Sequence, residues 1–508
     1  MIVEGHQIEG DLTRSCDVCI IGSGAGGAVL AASLAARGLD VVVLEEGGYH
    51  QRSDFAKPDE RWSYPALYQE RGGRTTDDLS ITILQGRAVG GTTVVNWTTC
   101  FRTPERILAH WRSEHGTTLD SATLAPHFEA VEARLNIHPW PVPPNGNNDV
   151  LRRGCEALGW EHDVLRRNVK GCASSGMCGL GCPVDAKQAM HLTYLVDAVG
   201  DGATVYADVR VDRLEVEAGR VKSVQAVVMQ RGVDRPTPTR VTITPKVVVS
   251  SCGAINGPAL FLRSGLDGGG RVGRRTFIHP VVAVLAEYEE RIQPFYGAPQ
   301  SVSSHEFVDR GPDQYGFFLE AAPLQPMLAA SAGWVFGETL DAQMQRLPHL
   351  SVVIALHVDG LLAGDEGGTV TLKGDRPSVS YPVGPRLQAA MKDAHVAAAR
   401  VHLAAGAKVA FTTHPSTVAL RTVEDLALLE KATYGTHQHG IFTAHQMGGL
   451  SMGADPAHHP VDPGLRFRGV DNVFVVDGSV LPTALGVNPS ETIYGLAHWA
   501  ADGVAAAV

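Results

Sequence analysis

The chain alternates between short, almost unbroken apolar runs and stretches with helical spacing. Residues 16–21 (Cys-Asp-Val-Cys-Ile-Ile) read as a strand buried on both faces, and Gly22-Ser23-Gly24-Ala25-Gly26-Gly27 follows at once. An alanine-rich helical stretch, 28–37, stops at Gly38. Val41-Val42-Val43-Leu44 then forms a second strand that ends in Glu45. Helical spacing returns over 104–135. Residues 139–148, rich in proline, asparagine and glycine, read as a surface linker at a domain boundary. Alternating valines between 203 and 251 predict a small antiparallel meander returning to a buried strand, which delivers Ser251-Cys252-Gly253-Ala254 to a helix at 258–262. Backbone at that turn is placed to lie against an adenine.

Between 276 and 444 the strand–glycine–helix rhythm is absent. Strand-like runs at 281–285, 350–356 and 369–372, with a helix at 387–405 entered by Pro385 and left at Gly406, predict a second lobe of sheet and helices. Its apolar segment 321–336, with Met327, Leu328, Trp334 and Phe336, reads as core in preference to a lid. The expected fold is α/β: a discontinuous Rossmann-like domain with a second sheet-plus-helices domain for substrate. The expected divisions are a first part at 1–160, a cysteine-containing loop at 161–200, a second part at 201–275, the substrate domain at 276–444 and a C-terminal part at 445–508.

Composition removes several classes of function. The chain has 508 residues, 44% apolar and 19% charged, which is a globular balance for more than one lobe. A net charge of −11 with no basic run speaks against nucleic acid as a partner. No stretch has the ~18 consecutive apolar residues of a membrane span. The first residues carry acid and lack a signal-type apolar core, so the expected location is cytoplasmic. Eight dispersed cysteines do not make a disulfide framework.

Gly22, Gly24 and Gly27 stand between a strand and a helix, with Glu45 at the end of the next strand. That is the context in which glycine backbone and a helix N-terminus meet a pyrophosphate and an acid meets a ribose. Gly90-Gly91-Thr92-Thr93, followed by Asn96, offers a second bare-backbone loop suited to a pyrophosphate or a flavin edge. Cys172, Cys178 and Cys182 fall on a glycine-rich loop ending Cys182-Pro183. Three thiols so spaced could ligate an iron–sulfur cluster, whereas a structural loop of free thiols needs no fourth ligand. The crowded C-terminal stretch joins His445-Gln446-Met447-Gly448-Gly449, an apolar run ending in Asp477, and Asn488-Pro489.

Together these motifs resemble, over nearly the whole chain, the glucose-methanol-choline (GMC) oxidoreductases, flavoproteins that oxidise alcohols. The resemblance rests on Gly22-x-Gly24-x-x-Gly27 with Glu45, the Gly90-Gly91 loop with Asn96, Cys252-Gly253-Ala254, and Asp477-Gly478-Ser479 through Asn488-Pro489. The stretch 445–449, and the cysteine loop followed by Asp185-Ala186-Lys187-Gln188, are most similar to long-chain alcohol oxidases and related dehydrogenases. The cysteine spacing is also similar to that of GMC-type glucose dehydrogenases with a three-iron cluster. The resemblance implies a catalytic pair at His445 and Asn488, as in the branch containing choline oxidase and cholesterol oxidase. It implies FAD contacts at Gly22, Gly24, Gly27, Glu45, Gly90, Gly91, Asn96, Val209, Asp477, Gly478, Asn488 and Pro489. Some members attach FAD through a histidine before the loop asparagine. Val95 stands there in this chain, so non-covalent FAD is expected and no resident metal.

Alcohol oxidation removes a hydroxyl proton and a hydride from one carbinol group, so a base must reach the oxygen while the flavin faces the carbon. His445 is the expected base, and Asn488 the dipole that steadies the developing alkoxide. The expected activity is oxidation of a primary or secondary, largely apolar alcohol, with the alcohol and an electron acceptor, oxygen or another, as the partners. Two other readings stand beside it. One is a sugar or polyol dehydrogenase with an iron–sulfur relay at Cys172, Cys178 and Cys182. The other is a catalytically silent FAD-binding protein.

Overall fold

The computed structural model describes residues 1–57, 59–233, 235–332 and 335–508, so Trp334 lies outside the described residues. The first sheet runs in the order Ile2–Val3, Thr204–Tyr206, Val41–Leu44, Leu12–Ile21, Arg235–Ser250, Arg220–Gln230, Val209–Glu217, with Val473–Val475 also paired to Arg235–Ser250. Strand 12–21 pairs in parallel with both Val41–Leu44 and the second half of Arg235–Ser250. The long strand thus starts as an antiparallel arm of the meander, half-exposed and alternating. It ends as the buried parallel neighbour Val247-Val248-Val249-Ser250. That change of partner is how a meander and a doubly wound sheet share one strand. All four residues of Val41–Leu44 are buried, and each such side chain contributes about 1.5–3 kcal/mol by leaving water.

Helix Ala25–Ala35 packs on Ser490–Ala505 from the far end of the chain. Alanine and glycine dominate its buried positions, which lets the two helices and the sheet approach closely. The halves of this domain are therefore joined by packing between residues more than 450 positions apart.

The second sheet is antiparallel at its centre, in the order Ala419–Leu420, Val409–Thr412, Val281–Glu287, Leu350–Val358, Gly316–Glu320, Val302–Ser304, Asp163–Val164. Ile441–Thr443 and Ile81–Ile83 extend it beside Val281–Glu287. Strand period decides its faces. Val282, Val284, Phe317, Leu319, Val353 and Ala355 pack under helices Gly146–Leu158 and Pro385–Ala404. Val281, Ile354, Leu356 and Glu320 look the other way, into the cavity between the sheets.

Two expectations change. Residues 139–148 are not simply a surface linker, because Asn145 caps helix Gly146–Leu158 by accepting from the Asn148 amide. Asn147 and Asn148 are themselves fully buried. Asn148 Oδ1 accepts from the Ser301 and Val302 amides, and Asn147 Oδ1 from Ser351 Oγ and the Val352 amide, so polar residues pin a helix to the sheet. Segment 321–336 is also not core throughout. Met327, on the short helix Pro326–Ala332, and Phe336, at the N-cap of helix Gly337–Gln345, are exposed.

Candidate active site

The floor of the site is built from glycines placed where backbone crosses backbone. Gly22 has φ +98°, and a Cβ there would stand 2.3 Å from the Ser251 carbonyl oxygen. At Gly26 it would stand 1.9 Å from the Val476 oxygen, and at Gly27 2.0 Å from that of Gly22. Gly91, at φ +57°, lies against Gly24, so the two glycine loops predicted from sequence touch. Ser23 ties them together: its hydroxyl accepts from the Gly90 amide at 2.9 Å and donates to Glu45 at 2.7 Å.

These loops open onto one continuous cavity of about 800 Å³. Gly22, Gly24, Glu45, Gly91, Asn96, Val209, Asp477, Gly478, Asn488, Pro489 and His445 all line it, with Ser251 to Ala254 along one wall. Gly27 and Gly90 stand behind the lining as packing glycines. Glu45 is not held free for a ribose alone. Oε2 accepts from the Ser23 amide and hydroxyl, Oε1 from the Gly47 amide, and burial raises its pKa to about 7. Asp477 plays the same part at the other strand end, accepting from the Gly253 and Ser479 amides at 2.7 Å each. Asn96 lines the cavity, and its buried Oδ1 has no hydrogen-bond partner within the protein. A helix N-terminus, bare glycine backbone and an orphaned amide oxygen along one elongated wall are the donor and acceptor set a flavin dinucleotide requires.

At the far end, His445 and Asn488 meet, with 3.3 Å between His445 Nε2 and Asn488 Nδ2. Two residues that sequence reasoning missed complete the cluster. His279 Nδ1 lies 3.1 Å from His445 Nδ1, and Glu320 Oε2 lies 3.5 Å from Asn488 Nδ2. His279 sits in left-handed backbone at φ +44°, a conformation costing ~1–3 kcal/mol that surrounding structure must hold. Asp359 supplies that hold: its carboxylate accepts from the Ile278 and His279 amides at 2.9 and 3.0 Å and from the Tyr381 hydroxyl at 2.7 Å.

This geometry constrains the protons. The Gly486 amide can only donate, so His279 Nε2 accepts from it at 3.2 Å. Burial keeps His279 neutral, far below the usual histidine pKa, and its one proton is therefore on Nδ1 and points at His445 Nδ1. Burial likewise lowers His445 to about 4. Asn488 Nδ2, which can only donate, faces the other ring nitrogen, so the two contacts ask for opposite tautomers of His445. Glu320 is fully buried, and burial raises its pKa to about 8 against the hydrogen bonds from Asn488 and Gln300. Its Oε1 has no partner.

The three loop cysteines sit around one small space. They line a separate void of about 10 Å³ around Lys187, and among the described residues no group of three His, Cys, Asp or Glu side chains is arranged to hold a metal. The geometry thus gives the iron–sulfur relay no ligand set. Lys187 explains the loop better. Its buried ammonium donates to the carbonyls of Val94 (2.8 Å), Asn96 (2.7 Å) and Cys178 (2.7 Å), fastening the cysteine loop to the second glycine loop. Lys187→Met leaves three buried carbonyls unpaired. It is expected to destabilise the protein by about 3 kcal/mol and to loosen flavin retention, read by thermal melting with flavin fluorescence as the second channel.

Fold and cavity together define an FAD-dependent oxidoreductase of the two-lobed α/β type. GMC oxidoreductase family models match residues 64–281 and 364–497, and a model for an NAD(P)-binding Rossmann-like domain matches 20–53, so the chain belongs to the GMC oxidoreductase family. An uncharacterized GMC-type oxidoreductase of Mycobacterium tuberculosis is 34% identical over 98% of this chain and 77% of its own length. A long-chain-alcohol oxidase of Arabidopsis thaliana is 31% identical over 95% of this chain and 66% of its own. Among solved structures, pyridoxine 4-oxidase from Mesorbium loti superposes with TM-score 0.70 at 18% identity, covering 96% of this chain and 99% of that one. Formate oxidase from Aspergillus oryzae superposes at 0.72 and 15%, covering 97% and 98%. These two show the fold. Among the described residues no helix is long and apolar enough to cross a membrane.

Proposed function

We propose that the protein oxidises a primary or secondary, largely apolar alcohol to the aldehyde or ketone, with the hydroxyl seated between His445 and Asn488. One observation carries this reading: the cavity that starts at the glycine loops ends at these two side chains under an apolar wall of Val281, Ile354, Leu356 and Phe442. Bound FAD would supply the two-electron acceptor for the carbinol hydride. Gly22, Gly24, Gly26 and Gly91 would hold its pyrophosphate region, and Val95 before Asn96 leaves that position without a histidine to attach it. The likeness to long-chain-alcohol oxidases supports an apolar substrate.

His445 as the base, the expectation from the motif, requires a lone pair at Nε2. That tautomer places the proton at Nδ1 and turns His279 Nε2–H against the Gly486 amide, so it costs the Gly486–His279 bond. The reaction class is tested anaerobically by mixing the purified flavoprotein with a panel of alcohols and watching the flavin absorbance bleach. Apolar alcohols are expected to bleach it and sugars not, and admission of air then reports whether oxygen is the acceptor. No bleaching with any alcohol would overturn the reading in favour of a silent FAD-binding protein. Bleaching by sugars alone would return it to a polyol dehydrogenase.

A further inference from the structure

We propose that Ser490, Tyr494, Glu491 and Glu132 form a relay that carries the proton released in alcohol oxidation from the cavity to solvent. The proposal rests on the alcohol-oxidation reading above and leaves the side chain that first accepts the proton as stated there.

A proton left in this cavity needs a polar way out, because the wall of Val281, Ile354, Leu356 and Phe442 offers it no acceptor. The start of the last helix supplies one. Asn488 and Pro489 lead directly into Ser490–Ala505. Spacings of four and three residues put Ser490 and Glu491 each beside Tyr494 on the helix surface. Ser490 lines the cavity, and so does Asn96. The Tyr494 hydroxyl has Cys100, Ser490, Glu491 and Asn96 as its neighbours. Tyr494 and Glu491 are both 0% exposed.

On its outer side this helix packs on Ser121–Leu135, which carries Glu132. Arg166 spans the two acids, with Nη1 2.7 Å from Glu132 Oε1 and 3.8 Å from Glu491 Oε1. Arg102 grips Glu132 with two hydrogen bonds, at 2.6 and 2.9 Å. The Glu132 side chain is 12% exposed and that of Arg102 39%, so the line from Tyr494 through Glu491 leads outward to water.

The polar atoms along this line are the ones the chain leaves unpaired. Asn96 Oδ1, Tyr494 Oη and both carboxyl oxygens of Glu491 are buried without a hydrogen-bond partner within the protein. Buried polar groups are ordinarily paired, so four in succession between a cavity and a surface carboxylate call for a use. A side chain that only pinned the helix would spend its oxygens on donors, and Glu491 spends neither.

The two acids also hold complementary charge states. Burial, and then the neighbouring Glu132 carboxylate, hold Glu491 above the usual carboxylate range, so it carries a proton. Against its own burial, Glu132 is held below that range by the hydrogen bonds from Arg102 and Arg166. Cys100, which also faces Glu491, is kept a neutral thiol by burial, and Glu129 lies on the solvent side near Arg102. A proton donor inside thus abuts a charged acceptor at the surface.

The transfer balances. The carbinol loses a hydride, with its electron pair, to the FAD oxidant and a proton to the cavity. That proton passes to the Ser490 hydroxyl, whose own hydrogen moves to Tyr494 and that of Tyr494 to Glu491. Glu491 gives the hydrogen it held to Glu132, from which it leaves to solvent. Each O–H bond formed is matched by one broken, so all four groups return to their starting states.

Anaerobic stopped flow of the holoenzyme with octan-1-ol, in weak buffer containing a pH-indicator dye, reads bleaching and proton release in one mixture. In the wild type, release is expected to keep step with bleaching. Glu491→Gln and Tyr494→Phe are each expected to release the proton at least about tenfold more slowly than they bleach. Tyr494→Phe removes a single oxygen atom and reports even where Glu491→Gln fails to fold. Thermal melting separates a relay from a pin: a lowered melting temperature with release still in step with bleaching, in either variant, overturns the proposal. A wild type that bleaches without releasing a proton overturns it as well, and alcohol oxidation stands in both cases. Failure of the wild type to bleach with any alcohol would instead remove the reading beneath it, and the relay with it.

Discussion

Replacing His445 with alanine is expected to slow flavin bleaching by an apolar alcohol about 10²- to 10³-fold, with flavin content unchanged. The loss is that of the side chain proposed to meet the hydroxyl oxygen where charge develops. Flavin content should hold because the cofactor cradle is made by residues 22–27, 90–91 and 477–478, none of which takes a hydrogen bond from the His445 side chain. Asn488→Ala removes the other side chain proposed to meet the hydroxyl and is expected to lower the rate comparably. The double variant should be far less impaired than the product of the two if both side chains act as a unit on one oxygen, as proposed. Stopped-flow absorbance under anaerobic conditions measures all three. A His445→Ala enzyme bleaching at the wild-type rate would remove His445 from the chemistry.

Much of this architecture was legible because its signals are local. Strand, glycine turn, helix, strand and acid over residues 12–45 obey short-range rules, and the meander of 209–250 follows from alternation. His445 and Asn488 were found through motif order, which places them without geometry. Their contact is a product of two loops 43 residues apart in sequence. What stayed hidden depends on pairing across the chain. Strand Gly316–Glu320 is buried at every position, so it has no alternation to read, and its one acid looked like the end of an apolar run. A lone carboxylate inside Gly-Phe-Phe-Leu-Glu-Ala-Ala was the available signal, since an unpaired buried acid is costly enough to demand a reason. His279 gave less, because its meaning lies in the Gly486 amide 207 residues away. The asparagines at 147 and 148 misled for the same cause: polar residues that cap and pin look, in sequence, like surface.

Gly26→Ala is expected to be among the most damaging single substitutions in the molecule, although the G-x-G-x-x-G pattern leaves that position unassigned. An added Cβ would stand 1.9 Å from the Val476 oxygen and 2.9 Å from its carbonyl carbon. Both are backbone atoms, so no side chain can swing aside. The Val476 amide bonds to the Ser250 carbonyl, and Ser251 Oγ donates to the Val476 oxygen itself at 2.8 Å, so the obstructing strand is held by the sheet. Relief requires helix Ala25–Ala35 to move off that strand, which opens the core between it and Ser490–Ala505 and carries away the helix N-terminus that faces the cavity. The cost lies beyond ~4 kcal/mol, the range reserved for such enforced backbone clashes. The expected result is aggregated or flavin-free protein, measured as the ratio of flavin to protein absorbance after purification. Gly24→Ala separates cofactor from fold. Its Cβ would meet nothing nearer than the Gly91 Cα at 3.7 Å, an ordinary contact, so the chain should fold and melt cooperatively. Because Gly24 lines the cavity beside the pyrophosphate position, the same variant should bind FAD more weakly. If Gly26→Ala retains full flavin while Gly24→Ala fails to fold, the strand crossing at Val476 is not what holds the two ends of this domain together.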